Sequence, residues 1–99
     1  MIPRYGEWDR TYRGRGLQVV GVHSAEYDWE REPDGIARFA HKEGIAWPVV
    51  LDPDFAAWRR YDVSAWPTAI VIDRAGVVRA VFVGDDRAAD IERAIRAAL

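Results

Sequence analysis

The hydrophobic positions of the chain switch between helical and extended periods. In RYGEWDRTYR, residues 4–13, Tyr5, Trp8 and Tyr12 recur at i, i+3 and i+7. That spacing predicts a helix, and Pro3 suits its first turn. Gly14 and Gly16 end it. The run LQVVGVH, residues 17–23, is rich in β-branched side chains and reads as a buried strand. A polar loop, SAEYDWEREPD, follows. In GIARFAHKEG, Ile36, Phe39 and Ala40 share one helical face, and Gly44 stands just past the end. WPVVLD is a short extended piece. Asp54 is placed to N-cap a short helix, residues 55–61, with Phe55 and Trp58 on one face. Residues 67–73, PTAIVID, predict a strand. DRAG is a hairpin turn whose Gly76 takes positive φ, and residues 77–83 form the partner strand. Asp85 or Asp86 caps a last helix, in which Ile91, Ala94, Ile95, Ala98 and Leu99 form one apolar stripe.

The element order is α, β, α, short α, β-turn-β, α, which is an α/β pattern with a crossover between the first strand and the last two. No repeat, low-complexity segment or linker interrupts it, so residues 1–99 are expected to form one domain. Apolar residues make up 49% and charged residues 30%, the balance of a globular protein. Net charge is −2, and the arginines, which are all but one of the basic residues, are interleaved with acids. This gives no electrostatic case for nucleic acid. No apolar run reaches the length of a membrane span, and MIPRYGEWDR lacks the apolar core of a signal peptide. The chain contains no cysteine. That excludes a disulfide framework, a thiolate metal site and thiol catalysis by these residues.

Three segments carry a family resemblance: GLQVVGVHSAEYDWE, EGIAWPVVLDPDFAAWRRYDVSAWPTAIVIDRAG and VFVG. They resemble the thioredoxin superfamily, in its redoxin, TlpA-like branch, and especially the thioredoxin domain of DipZ-type proteins. The most specific element is Tyr-x-Val-x-x-x-Pro-Thr, then an apolar strand, then Asp-x-x-Gly. The resemblance implies a thioredoxin-like α/β fold and a thiol–disulfide oxidoreductase activity. It implies that Pro67 is the cis-proline beside the family's active site, flanked by Trp66 and Thr68. A protein partner would pair with backbone there in the manner of an added strand. Relatives of this kind are largely extracytoplasmic.

The departure from the family is at the amino end. The family places Cys-x-x-Cys after its first strand, at a helix N-terminus that lowers the thiol pKa. Here Ile2 and Pro3 match the helix that follows those cysteines. The chain is then either amino-truncated or a naturally cysteine-free relative. Either way no catalytic residue is expected within it. In the family the absent strand is central, between those matching residues 17–23 and 67–73. Each buried unpaired backbone group costs about 1–3 kcal/mol. Direct closure of the two flanking strands, or self-association through the unpaired sheet region, is therefore expected over an empty gap.

Other candidates receive plainer readings. Trp8 and Trp58 lie on apolar helical faces and read as core. Trp29 and Trp47 lie in loops and read as packing over a small core. His23 and His41 lack the spacing and companion ligands of a metal pair. Glu26, Asp28, Glu30, Glu32 and Asp34 form an acidic loop without the order of a calcium loop. GRGLQVVG has its glycines before the strand, the wrong side for a phosphate loop. No cofactor and no metal are expected.

Overall fold

The computed structural model describes residues 2–24 and 33–99. In chain order the elements are α1 (Ile2–Tyr12), a 3-10 turn (Arg13–Arg15), β1 (Gly21–His23), α2 (Pro33–Lys42), β2 (Val49–Leu51), α3 (Ala56–Arg60), β3 (Thr68–Ile72), β4 (Val78–Val83) and α4 (Ala88–Ala98). They divide into two compact units, one of residues 3–17 and 64–99, the other of residues 18–63.

In the first unit, β3 and β4 form an antiparallel hairpin. Its register pairs Thr68 with Val83, Ala69 with Phe82, Ile70 with Val81, Val71 with Ala80 and Ile72 with Val78, the last step shifted by a bulge. The turn explains why the register holds. The Asp73 carbonyl accepts from Gly76 N–H at 3.0 Å, and the Asp73 carboxylate accepts from the N–H groups of Ala75 at 2.9 Å and Val77 at 3.0 Å. Gly76 sits at φ 81°, where a Cβ is disfavoured. Side-chain alternation then turns Ala69, Val71 and Phe82 toward a core of Trp8, Tyr12, Ile91 and Ile95, joined by Tyr5, Leu17, Ala88 and Leu99. The helical stripes of α1 and α4 expected from sequence supply all four buried members. Each fully buried large apolar side chain contributes about 1.5–3 kcal/mol.

In the second unit, β1 and β2 run parallel, with Gly21, Val22 and His23 opposite Val49, Val50 and Leu51. Gly21 N–H to Pro48 O and Asp52 N–H to His23 O, both 2.9 Å, extend the ladder. α2 ends in a Schellman motif: Ile45 N–H reaches Ala40 O at 2.9 Å and Gly44 N–H reaches His41 O at 3.2 Å, with Gly44 at φ 69°. Gly44 thus occupies its expected position.

Several expectations need correction. The strand placed at residues 17–23 pairs as a strand only at Gly21–His23, and Val20 and Val22 are exposed. Its partner β2 is three residues long, so the rest of the apolar run has no ladder to join. The four described strands form two two-stranded sheets and not one closed sheet. Phe39 is exposed on α2. Asp54 does not cap α3. Asp52 does, because the chain turns through Phe55 at φ 60° and aims the earlier carboxylate at the helix start. Neither Asp85 nor Asp86 caps α4: Arg87 holds the cap position with no side-chain cap bond, and Asp90 supplies the acid of the first turn. The acidic-loop residues Glu26, Asp28, Glu30 and Glu32, with Trp29, lie outside the described residues, and Asp34 belongs to the first turn of α2.

Candidate functional site

The residues singled out from sequence, Trp66, Pro67 and Thr68, lie at the entry to β3. The apolar strand they precede is anchored on the core through Ala69 and Val71, which fixes the entry in place. The Trp66–Pro67 peptide bond is cis. Pro67 has no N–H to offer a ladder, and its carbonyl accepts from Gly84 N–H at 2.9 Å. The Thr68 hydroxyl donates to Ala65 O at 2.7 Å, which ties the segment before the proline to the strand after it. Thr68 is half-buried, whereas Pro67 is exposed and the Trp66 side chain, 46% exposed, stands beside it. The outcome is a short backbone step with an aromatic ring presented to solvent. Such a step suits contact with an extended chain. It holds no nucleophile and no titratable side chain.

The remaining candidates disperse. His23 closes β1, and His41 lies in the last turn of α2. No group of three or more metal-ligating side chains occurs among the described residues. Trp8 is core, as expected. Trp58 is only half-buried and meets Phe55 edge-on at 5.7 Å, and Trp47 is half-buried as well. No helix among the described residues is long and apolar enough to cross a membrane.

Two polar arrangements escape the sequence pattern. In the first, the Glu92 carboxylate accepts from Trp8 Nε1 at 3.1 Å, from the Tyr12 hydroxyl at 2.7 Å and from Arg96 at 3.1 Å, and Arg96 Nε donates to the Tyr12 oxygen at 2.8 Å. This network gives the polar tips of the core aromatics their partners and joins α1 to α4. The usable signal was the requirement that a buried Trp N–H or Tyr O–H find an acceptor. In the second, Asp52 and Ser24, both buried, pair at 2.7 Å. The Asp52 carboxylate also accepts from Ala57 N–H at 3.0 Å and Trp58 N–H at 3.1 Å.

These bonds set the acid response. The Ala57 N–H leads the groups that hold the Asp52 carboxyl below its ordinary 3.8. The Val77 N–H, then Arg79, do the same for Asp73. The Tyr12 and Trp8 donors hold Glu92 below 4.5. A carboxyl whose folded pKa is depressed adds stability that is fully present above its unfolded value and is lost as pH falls through the folded one. Stability should therefore be flat above about pH 5 and decline steadily below about pH 4.5. Thermal melts from pH 3 to 7 check this. A melting temperature that held level down to pH 3 would contradict it.

Comparison with known proteins places this geometry. The model of the AhpC/TSA family matches residues 1–81. DipZ of Mycobacterium tuberculosis (strain CDC 1551 / Oshkosh) is 38% identical over 84 residues, covering 85% of this chain and 12% of DipZ. The thiol-disulfide oxidoreductase ResA of Geobacillus kaustophilus (strain HTA426) is 28% identical over 92 residues, 93% of this chain and 50% of ResA. The chain thus spans between about an eighth and half of the length of these curated relatives. The crystal structure of a Chlorobium tepidum protein described as a thiol:disulfide interchange protein DsbE superposes with a TM-score of 0.86 at 26% identity, covering 98% of this chain and 67% of that one. The α/β elements are those of a thioredoxin-like fold. With 81 of its 99 residues matched by the family model, the chain belongs to the AhpC/TSA family, in the redoxin, TlpA-like part of the thioredoxin superfamily.

Proposed function

We propose that residues 1–99 act as one thioredoxin-like domain of a thiol–disulfide oxidoreductase family that performs no thiol exchange itself, and that its contribution is to hold a protein partner across residues 66–68. The absence of any cysteine carries the first half. Exchange proceeds through attack of a thiolate and a mixed disulfide, and no residue of this chain supplies that nucleophile. Any dithiol acting on a partner bound at Pro67 would come from other sequence. The exposed Trp66 ring beside Pro67 supports the second half, because exposed aromatics at a rigid backbone step are common anchors.

One experiment addresses both. Insulin reduction by dithiothreitol, followed by turbidity, should run at the protein-free rate when the purified chain is added. Clear acceleration would overturn the chemistry. Calorimetric titration with reduced, alkylated insulin B chain, whose thiols cannot exchange, reads binding separately. Trp66→Ala should weaken that binding about tenfold. The melting temperature of the variant is read alongside, so that lost binding is told apart from lost folding. Equal binding by parent and variant would remove residues 66–68 from the reading.

A further inference from the structure

The backbone step at residues 66–68 has an acidic neighbour. Gly84, the residue after β4, donates its N–H to the Pro67 carbonyl at 2.9 Å, one step beyond the Thr68–Val83 pair of the hairpin. Asp85 and Asp86 follow directly, and both are exposed. Chain geometry keeps the Asp85 carboxylate within about 12 Å of the Pro67 carbonyl, and Asp86 is one residue further on. Screening lengths are about 10 Å at 0.1 M salt and about 30 Å at 0.01 M, so a charge held over Pro67 is in range of Asp85. Among the described residues neither carboxylate has a hydrogen bond or an ion pair. The adjacent cation is engaged elsewhere: Arg87 Nε donates to Asp90 at 3.3 Å, and its guanidinium lies 5.1 Å from the centre of the Phe82 ring. Arg79 pairs with Asp73, toward the turn end of the hairpin. The open end of the hairpin, where Trp66 and Pro67 are exposed, therefore carries two negative charges that no described side chain neutralises.

We infer that the step at residues 66–68 selects extended peptides that carry a lysine or an arginine, and that Asp85 and Asp86 set this preference. The inference rests on the reading of residues 66–68 as a partner-binding step. Charge complementarity identifies the occupant. A long basic side chain lays its aliphatic stem on an apolar surface and keeps its charged head in water. The face of a Trp ring itself attracts a cation, and the Trp66 side chain is 46% exposed. The two carboxylates draw the same head group and oppose an acidic peptide. A nucleic acid or an anionic membrane meets like charge here as well. The gain is modest, because one exposed charge pair is worth up to about fivefold in binding.

Fluorescence anisotropy with three labelled synthetic peptides tests this. They share one extended apolar frame with two variable positions, filled by lysine, glutamine or glutamate. At about 0.01 M salt the lysine peptide should bind about fivefold more tightly than the glutamine peptide, and the glutamate peptide more weakly than either. The differences should vanish at about 1 M salt, where the screening length falls to about 3 Å. This salt series uses the parent alone. The double variant Asp85→Asn, Asp86→Asn should bring the lysine peptide to the affinity of the glutamine peptide and leave the glutamine peptide unchanged, with circular dichroism checking that it folds as the parent does. Trp66→Ala should weaken all three. Equal binding of the three peptides by the parent at low salt overturns the preference while leaving the binding step in place. A lysine preference that survives in the folded double variant overturns the assignment to Asp85 and Asp86. Binding of none of the peptides overturns both the preference and the reading of residues 66–68 beneath it.

Discussion

Replacing Trp8 with alanine should destabilise the protein by about 3–5 kcal/mol and lower its melting temperature by about 20 °C. Trp8 is only 2% exposed at the centre of the core formed by α1 and α4. Its ring meets Tyr5 edge-on at 5.2 Å, and its Nε1 donates to Glu92. Truncation removes the largest side chain of the core and leaves a cavity that the two helices can only partly close. Against a total stability of about 5–15 kcal/mol for a domain of ordinary robustness, a loss of this size leaves little. Trp8→Phe separates the two contributions. It keeps most of the buried ring and loses the donor, so it should cost about 1–2 kcal/mol. Thermal or urea melts of both variants decide the matter. A shift under about 5 °C for Trp8→Ala would mean that the core does not centre on this residue.

The second large effect lies in the other unit, where Asp52 and Ser24 are the buried ones among the described residues. Asp52→Ala withdraws the acceptor from Ala57 N–H, Trp58 N–H and the Ser24 hydroxyl together. The first two belong to the opening turn of α3, which has no other side-chain cap. Loss of a capping carboxylate with a buried hydroxyl attached should lower the melting temperature by about 10 °C. Asp52→Asn retains one acceptor oxygen and should fall between the two. Hydrogen exchange locates the effect: the Ala57 and Trp58 amides should lose protection in Asp52→Ala while the amides of α4 keep theirs. Uniform loss across both units would contradict a local role. Asp54→Ala, at the position favoured from sequence, should have little effect, because the cap bonds go to Asp52.

The contrast between Asp52 and Asp54 shows where sequence reading stops. Both lie within reach of the start of α3, and propensity favours an Asp at either position. Which one caps depends on the path through Pro53, Asp54 and Phe55, with Phe55 at φ 60°. Nothing in the local pattern states that dihedral. The cis Trp66–Pro67 step was legible for a different reason. A proline at the mouth of an apolar strand is a local signal, and the order of motifs around it identified the family.

What the amino-acid order determines alone is the set of features that depend on near neighbours. The 3.6-residue stripes of α1 and α4 were readable, and so were the hairpin turn at residues 73–76 and the Gly44 ending of α2, because each is settled within a few residues of chain. Tertiary structure alone decided which apolar residues find cover. The run at residues 17–23 has one strand propensity throughout, yet only Gly21–His23 form a ladder, because a ladder needs a partner and β2 supplies three residues. Phe39 has the right helical phase and remains exposed. Glu92 meets Trp8 and Tyr12 from more than 80 and from 80 positions away in sequence. Burial, strand pairing and long-range hydrogen bonding join two distant stretches of chain, and periodicity within one stretch carries no information about the other.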